Sequence, residues 1–376
     1  MSKTIDDALG NLRRLERLLA DSPYDAVIAV SPDNVRYVGD VHISTQTSIR
    51  DRLALIVWPR GRAPVFILCQ VEEGYVRAHS WVKDIRSYKE FVTRPMDLLA
   101  DVLTELGLGN AHVGVELDYL AALYADQLRA RLPGLRLGHC TELFLRARMI
   151  KTPGELELLR HAYRATEKAL LATYTTIRVG ETEKSMANRL ADALMHTGAD
   201  MVAYLHINAG ANTGYPHMAP ADYQVRDGDI VKADVGAWYS EYITNVGRTA
   251  KVGATTDEDR SYWTRLRAIH HEIIDLARPG RCGRELFEKA GQLYAANDLP
   301  FPYAHNGHGV GLLVHEHPLI SPHDQIPFEP DMVTTVETRV RWVGKVGYHM
   351  EDLVQITDGA PRLLSDAFDN EQILVI

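Results

Sequence analysis

Between residue 24 and about residue 145, short apolar runs alternate with segments of helical period. DAVIAV, RLALIVWP, APVFILC and HVGVEL are brief, rich in β-branched residues, and read as strands. PMDLLADVLTELG and DYLAALYADQLRARL repeat apolar positions at helical spacing and read as helices. Interleaved strands and helices predict an α/β domain over residues 1–150. The opening MSKTIDDALGNLRRLERLLA predicts one amphipathic helix with Ile5, Ala8, Leu12, Leu15 and Leu19 on a single face.

The pattern changes near Arg148-Met149-Ile150-Lys151, which marks a second domain over residues 151–376. A helix start follows at once: Thr152 can cap, Pro153 suits the first turn, and Glu155 completes a capping box. Leu156, Leu159, Tyr163 and Leu170 then define its buried stripe. EKSMANRLADALMHTGA leads to strands at 201–208 and 229–249, and GRELFEKAGQLYAAND leads to strands around 331–357. The second domain is therefore expected to hold two related α-then-β halves, although no strict sequence repeat joins them. The fold class is α/β (α+β).

A chain of 376 residues is long enough for two domains. Hydrophobic residues at 46% and charged residues at 24% match a soluble globular protein. The net charge of −9, with no Lys/Arg block, argues against a nucleic-acid or anionic-membrane binder. Cys69, Cys140 and Cys282 lie far apart and suit a reducing cytoplasm rather than a disulfide framework. No apolar signal core and no run of 18 apolar residues occurs.

Chemistry concentrates in four segments of the second domain. In IVKADVGAWYSEYITNVGRT, strand alternation puts Lys232, Asp234 and Gly236 on the face opposite Val231, Ala233 and Val235. An acid there needs a cation, a cluster of donors or a metal, unless Asp234 is a hydrogen-bonded turn residue. PYAHNGHGVGLLVHEHP carries His305, His308, His315 and His317 among glycines that let the backbone approach whatever the histidines hold. A phosphate-loop reading fails because Leu312 and Val314 stand where glycine would be needed, while a surface histidine cluster stays open. Glu337 in DMVTTVETRV and Glu351 in GYHMEDLVQIT are further carboxylates inside apolar strands. Three such acids with histidines are most simply held by a divalent transition metal (Mn, Fe, Co or Zn).

These segments resemble the pita-bread fold family of methionine aminopeptidases, Xaa-Pro aminopeptidases, prolidases and creatinase. SPDNVRYVGD, RMIKTPGELELLRHA, NAGANTGYPHMAP and GHGVGLLVHEHP carry the likeness in order along nearly the whole chain. The resemblance implies an N-terminal creatinase/prolidase-like domain and a C-terminal pita-bread domain with pseudo-twofold halves. It places metal ligands at Asp234, Asn245, His308, Glu337 and Glu351 and catalytic roles at His217, His315 and Glu337, and it implies a homodimeric assembly. His217 and His315, with His349, Tyr204 and His206, are the expected substrate-binding residues, and Tyr215 lies near them in sequence.

Three positions depart from the metallopeptidases of that family. Asn245 replaces the acid that bridges two metals, Glu337-Thr338-Arg339 replaces Glu-Pro-Gly, and His349 stands where an arginine precedes the last Glu. A neutral amide offers one carbonyl oxygen and no charge, so one metal is expected to bind tightly and a second more weakly. The expected activity is hydrolysis of a C–N bond, amide or peptide, in a small substrate by a metal-activated water. The two strand departures make an ordinary Xaa-Pro peptide a poorer fit. Creatinase- or ectoine-hydrolase-like hydrolysis without metal, with His217 as acid or base, is the alternative. A lyase acting on a small zwitterion and a non-catalytic binding module are the remaining ones.

Overall fold

The computed structural model describes residues 3–49 and 51–376, and the chain divides into two compact units between Arg148 and Met149. The first unit is a six-stranded mixed sheet in the order β4-β3-β2-β1-β5-β6. Its strands are β1 (Ala26–Ala29), β2 (Leu55–Pro59), β3 (Val65–Cys69), β4 (Asp84–Tyr88), β5 (His112–Val115) and β6 (Arg136–His139). Helices α1 (Leu12–Ala20), α2 (Pro32–Gly39), α3 (Ser44–Ser48), α4 (Glu73–His79), α5 (Pro95–Glu105), α6 (Ala122–Arg131) and α7 (Thr141–Met149) connect them. The strands expected from the apolar runs all form. β4 and β6 were not expected, because DIRSY and RLGH carry too many polar residues to stand out as buried runs.

The expected N-terminal helix is broken. Met1 and Ser2, where it was to begin, lie outside the described residues, and Ile5–Asp7 make only a single 3-10 turn. The α-helix starts at Leu12, because the Asn11 side chain accepts from the Arg14 backbone and caps it there. Leu12, Leu15 and Leu19 form its buried face as expected, whereas Ile5 and Ala8 remain half-buried.

The second unit is built on an eight-stranded sheet. Its path runs β13-β14-β10-β8-β7, from β7 (Met201–Ala209), β8 (Ile230–Tyr239), β10 (Val246–Lys251), β13 (Val333–Trp342) and β14 (Val346–Gln355). Short strands β9 (Tyr242–Ile243), β15 (Arg362–Leu363) and β16 (Leu374–Val375) attach to β8, β14 and β10. β11 (His308–Gly309) and β12 (Glu316–Leu319) form a separate small ribbon. Helices α8 (Pro153–Tyr174), α9 (Glu183–His196), α10 (Asp257–Leu276) and α11 (Gly283–Ala296) complete the unit.

The two halves repeat with an offset of 100 residues, as positions 183 and 283 start equivalent 14-residue helices. Each helix is preceded by a left-handed glycine, Gly180 (φ 86°) or Gly280 (φ 83°). Each cap position makes an isolated bridge, Thr182 with Gln224 and Cys282 with Pro327. The likeness is in backbone and burial, since Met186, Leu190 and Leu194 correspond to Leu286, Ala290 and Tyr294. That is why the sequence shows a pattern without a repeat.

Alternate residues of the central strands face helices α8 and α10. Val336, Val340, Tyr348 and Met350 pack there against Trp263, Leu266, Ile269 and Ile273. A fully buried cation on that face, Arg248, ion-pairs with Glu167 of α8 and Asp352 of β14. It also donates to the Gly247 carbonyl at 2.8 Å and to the Glu351 carbonyl. Asp352 is held further by His270 at 2.9 Å and Ser365 at 2.7 Å. No described helix is long and apolar enough to cross a membrane.

Removing this cation strands two buried carboxylates, so Arg248→Met is expected to lower stability by about 3–5 kcal/mol in urea unfolding. A second expectation concerns Glu155, which caps α8 by accepting from the Thr152 backbone at 2.7 Å and also accepts from the Tyr242 hydroxyl at 2.8 Å. Burial pushes its carboxyl up to about 7 against the pull of Lys151. A raised carboxyl contributes stability below its unfolded value, and that contribution is lost as pH rises through about 7. Glu155→Gln keeps the capping geometry and should flatten the stability profile between about pH 4.5 and 7 relative to the parent protein.

Candidate functional site

The face of the sheet opposite α8 and α10 collects the remaining polar side chains. β7 brings Tyr204 and His206, β8 brings Lys232 and Asp234, β13 brings Glu337, Arg339 and Arg341, and β14 brings His349 and Glu351. Register decides who meets whom. Glu337 lies directly opposite Glu351, Arg339 opposite His349, and His206 opposite Asp234. Gly247 of β10 pairs with Glu351 on one side and Asp234 on the other. A Cβ at Gly247 would sit 2.6 Å from the His349 ring, so only glycine leaves that imidazole its place.

Two carboxylates directly opposed on a buried ladder repel, and the structure compensates from within. The Arg339 guanidinium ion-pairs with Glu337, and His349 Nε2 lies 3.1 Å from Glu337 Oε1 and 3.7 Å from Glu351 Oε2. Burial alone would raise the Glu337 carboxyl, but the charge of Arg339 and the adjacent His349 hold it well below the ordinary carboxylate value. Glu351 goes the other way: burial, then the charges of Glu337 and Asp234, push it well above.

Asn245, in the turn between β9 and β10, sits at the centre of a relay. Its Oδ1 accepts from the Tyr204 hydroxyl at 2.5 Å, and its Nδ2 donates to Glu351 Oε1 at 2.9 Å. The same Nδ2 lies 3.2 Å from His308 Nε2. Burial, with His315 beside it, lowers His308 to about 3, so the ring is neutral. Its Nδ1 lies 3.1 Å from the Gly309 carbonyl and carries the proton, which leaves Nε2 to accept from Asn245.

The expected ligands therefore divide into groups. Glu337, His349 and Glu351 offer three ligand atoms within 4.8 Å of one another. His349 Nε2 and Glu351 Oε2 are buried and make no hydrogen bond. Two carboxylates and an imidazole with unsatisfied lone pairs fit one divalent cation. His308 and Asn245 adjoin that group through Glu351 but are engaged with each other. Asp234 stands 4.0 Å from His217 Nε2. His349, expected only as a substrate contact, thus lies among the candidate ligands.

The expected catalytic histidines lie around this group. His217 is the most open, with 70% of its side chain exposed, and its ring is 5.3 Å from that of His206, which stacks near Tyr204 at 5.6 Å. His315 is exposed, with its ring 4.0 Å from that of His308 and 5.4 Å from that of His305. Lys151 pairs at 3.1 Å with Glu316, anchoring the turn that presents His315. His317 is bound to Asp324 at 2.8 Å and Tyr215 is exposed, so neither joins the group.

Two roles were missed from sequence. Lys232 was read only as a neighbour of Asp234, but its Nζ donates to the Tyr215 and Pro216 carbonyls at 2.6 and 3.1 Å and tethers the His217 segment. Arg339 was read as the absence of a Pro-Gly turn, whereas it supplies a cation. Strand alternation from Glu337 through Arg339 to Arg341 was the available signal.

Comparison with known proteins places this geometry. Residues 157–358 match the description "Metallopeptidase family M24" and residues 11–150 the "Creatinase/Prolidase N-terminal domain". The chain is 26% identical over 358 residues to the Xaa-Pro dipeptidase of Lactobacillus helveticus, covering 92% of this chain and 94% of that one. It is 32% identical over 219 residues to the Xaa-Pro dipeptidase of Pyrococcus furiosus, covering 57% and 63%. The X-Pro aminopeptidase structure from Thermotoga maritima superposes with a TM-score of 0.85 at 23% identity, covering 96% of this chain and all of that one. The dipeptidase PepE structure from Mycobacterium ulcerans superposes at 0.86 and 24% identity, covering 99% of each chain.

If the Asn245 amide is what closes the position between His308 and Glu351, Asn245→Asp should raise the bound metal from about one toward two ions per chain. Elemental analysis of protein loaded with Mn or Co reads this directly. An unchanged stoichiometry would remove Asn245 from the account of the second position.

Proposed function

Because this chain belongs to metallopeptidase family M24, we propose that its sheet face hydrolyses the C–N bond of short peptides, with Glu337, His349 and Glu351 holding one divalent ion. The observation that carries the reading is this buried carboxylate–imidazole–carboxylate group with two unpaired ligand atoms. The mixed O/N donor set suits Mn, Co, Zn or Fe. A cytoplasmic homodimer is the setting we propose with it, on the family likeness and the reduced cysteines.

When bound, such an ion polarises the substrate carbonyl and makes a water nucleophilic near neutral pH. The protein's own groups do the rest. Glu337, kept ionised by Arg339, takes a proton from the attacking water and delivers it to the leaving amine as the C–N bond breaks. His217 and His315 project imidazoles beside the group, where their N–H donors can hold the substrate carbonyl and stabilise the oxyanion. Lys232 fixes the His217 segment by its two carbonyl contacts, so that imidazole arrives in one position. His206 and Tyr204 line the same side.

Exhaustive chelation should abolish hydrolysis of a dipeptide panel, and Mn or Co should restore it. Glu337→Gln in the reloaded protein should lower kcat by roughly 10²–10⁴-fold. Full activity after chelation, with no metal detected, would instead assign the chemistry to His217 as acid–base.

A further inference from the structure

Glu183, the first residue of α9, is fully buried and forms no ion pair among the described residues. A carboxylate so placed needs donors in place of water. Four are supplied, all from one stretch of chain. Its Oε1 accepts from the Ala209 backbone at 2.8 Å and from Asn212 Nδ2 at 3.1 Å. Its Oε2 accepts from the Ala221 backbone at 2.8 Å and from Asn208 Nδ2 at 3.2 Å. One side chain thus holds both ends of the segment 209–221, and His217 lies within it.

The start of α9 is already joined to the far end of that segment. The Glu183 backbone donates to the Tyr223 carbonyl at 3.1 Å and the Lys184 backbone to the Ala221 carbonyl at 3.2 Å. The carboxylate adds the near end, Ala209, where β7 finishes. Between the ends, the Gly347 backbone donates to Thr213 Oγ1 at 2.9 Å, and Lys232 holds the Tyr215 and Pro216 carbonyls. The His217 side chain is 70% exposed, so its place is set mainly by how the segment is anchored.

The other half of the unit meets the same need by another route. Gly283 stands where Glu183 does, and a Cβ there would lie 1.8 Å from the Leu319 carbonyl, which leaves no room for a side chain. The carboxylate comes instead from Asp324, also buried, which accepts from the Leu319 and Ile326 backbones at 2.6 and 2.9 Å and binds His317 at 2.8 Å. The Asp324 carbonyl in turn accepts from the Arg284 backbone at 2.8 Å. Each half therefore holds its histidine-bearing segment at the start of its helix with one buried carboxylate.

Resting on the peptide-hydrolase reading above, we infer that Glu183 is a positioning residue for that reaction: closing segment 209–221 at both ends, it sets where the His217 imidazole meets the substrate. Glutamine at 183 would keep one acceptor oxygen and turn an NH2 group toward N–H donors, which releases one end of the segment. A ring displaced by roughly 1 Å can cost on the order of 10²-fold in rate.

The test is a double-mutant cycle on kcat for a dipeptide, in metal-loaded protein. Glu183→Gln should lower kcat by about 10-fold or more in the parent and by less than about 2-fold in a His217→Ala background. An unchanged kcat in the parent, or an equal loss in both backgrounds, would overturn the inference, since a merely structural role acts without regard to His217.

A second measurement needs no turnover. The His217 ring resonance, assigned by its loss in His217→Ala, should shift or broaden in Glu183→Gln while that of His317 stays in place. An unmoved His217 resonance overturns the positioning role. Should the parent cleave no peptide under any metal condition, the hydrolase reading fails and the ring resonance still decides on Glu183. If Glu183→Gln does not fold, Asn212→Ala takes its place, because it removes a single donor and leaves the carboxylate at the helix start. It should move the same resonance, and an unmoved one again overturns the inference.

Discussion

The polar face of the second unit's sheet is held from behind by a buried cation. Arg248 lies on the helix side of the sheet, where its charge is matched by Glu167 and Asp352 and its remaining donors reach the carbonyls of Gly247 and Glu351. Those carbonyls belong to neighbouring strands at the point where the polar groups of the other face converge. A guanidinium can join a helix and two strands in this way because it offers five donors in one plane. The backbone position of Glu351 is therefore set from behind.

On the front, the constraint is electrostatic. Opposed Glu337 and Glu351 on one ladder cannot both sit buried and charged without help. The protein divides the load: Glu337 receives Arg339 and His349, while Glu351 receives the Asn245 amide. Two of the departures noted in the sequence turn out to be linked, because Arg339 and His349 are direct register partners. The cation of this pair is Arg339, across the ladder from His349, whose imidazole lies between the two carboxylates. Asn245, the third departure, is not an empty substitution either, since Tyr204 orients it and both its amide contacts are made.

Strand alternation made Lys232 and Asp234 legible as a one-sided pair, Glu337 and Glu351 stood out as carboxylates inside apolar strands, and the glycine-rich histidine segment was legible from composition alone. The capping box at Thr152 and Glu155 marked the start of the second unit's first helix. Less was legible where local signals compete. The amphipathic pattern of the N-terminal segment hid the helix start at Asn11, and the polar edge strands β4 and β6 lack the apolar runs that announce a strand. Helix α10 went unremarked, although Thr256 and Asp259 form its capping box.

The amino-acid sequence by itself determined the element types, the two-part organisation, the paired halves and the list of residues able to do chemistry, because these follow from periodicity and side-chain type. Only the tertiary structure decided the partners. Register places Glu337 against Glu351 and Arg339 against His349, long-range contacts bring Lys232 to the His217 segment, and the turn at Asn245 delivers an amide between His308 and Glu351. Such pairings join residues as much as 106 positions apart. A pattern local in the chain carries no information about which strand will lie beside which, and the charge balance of the site is settled there.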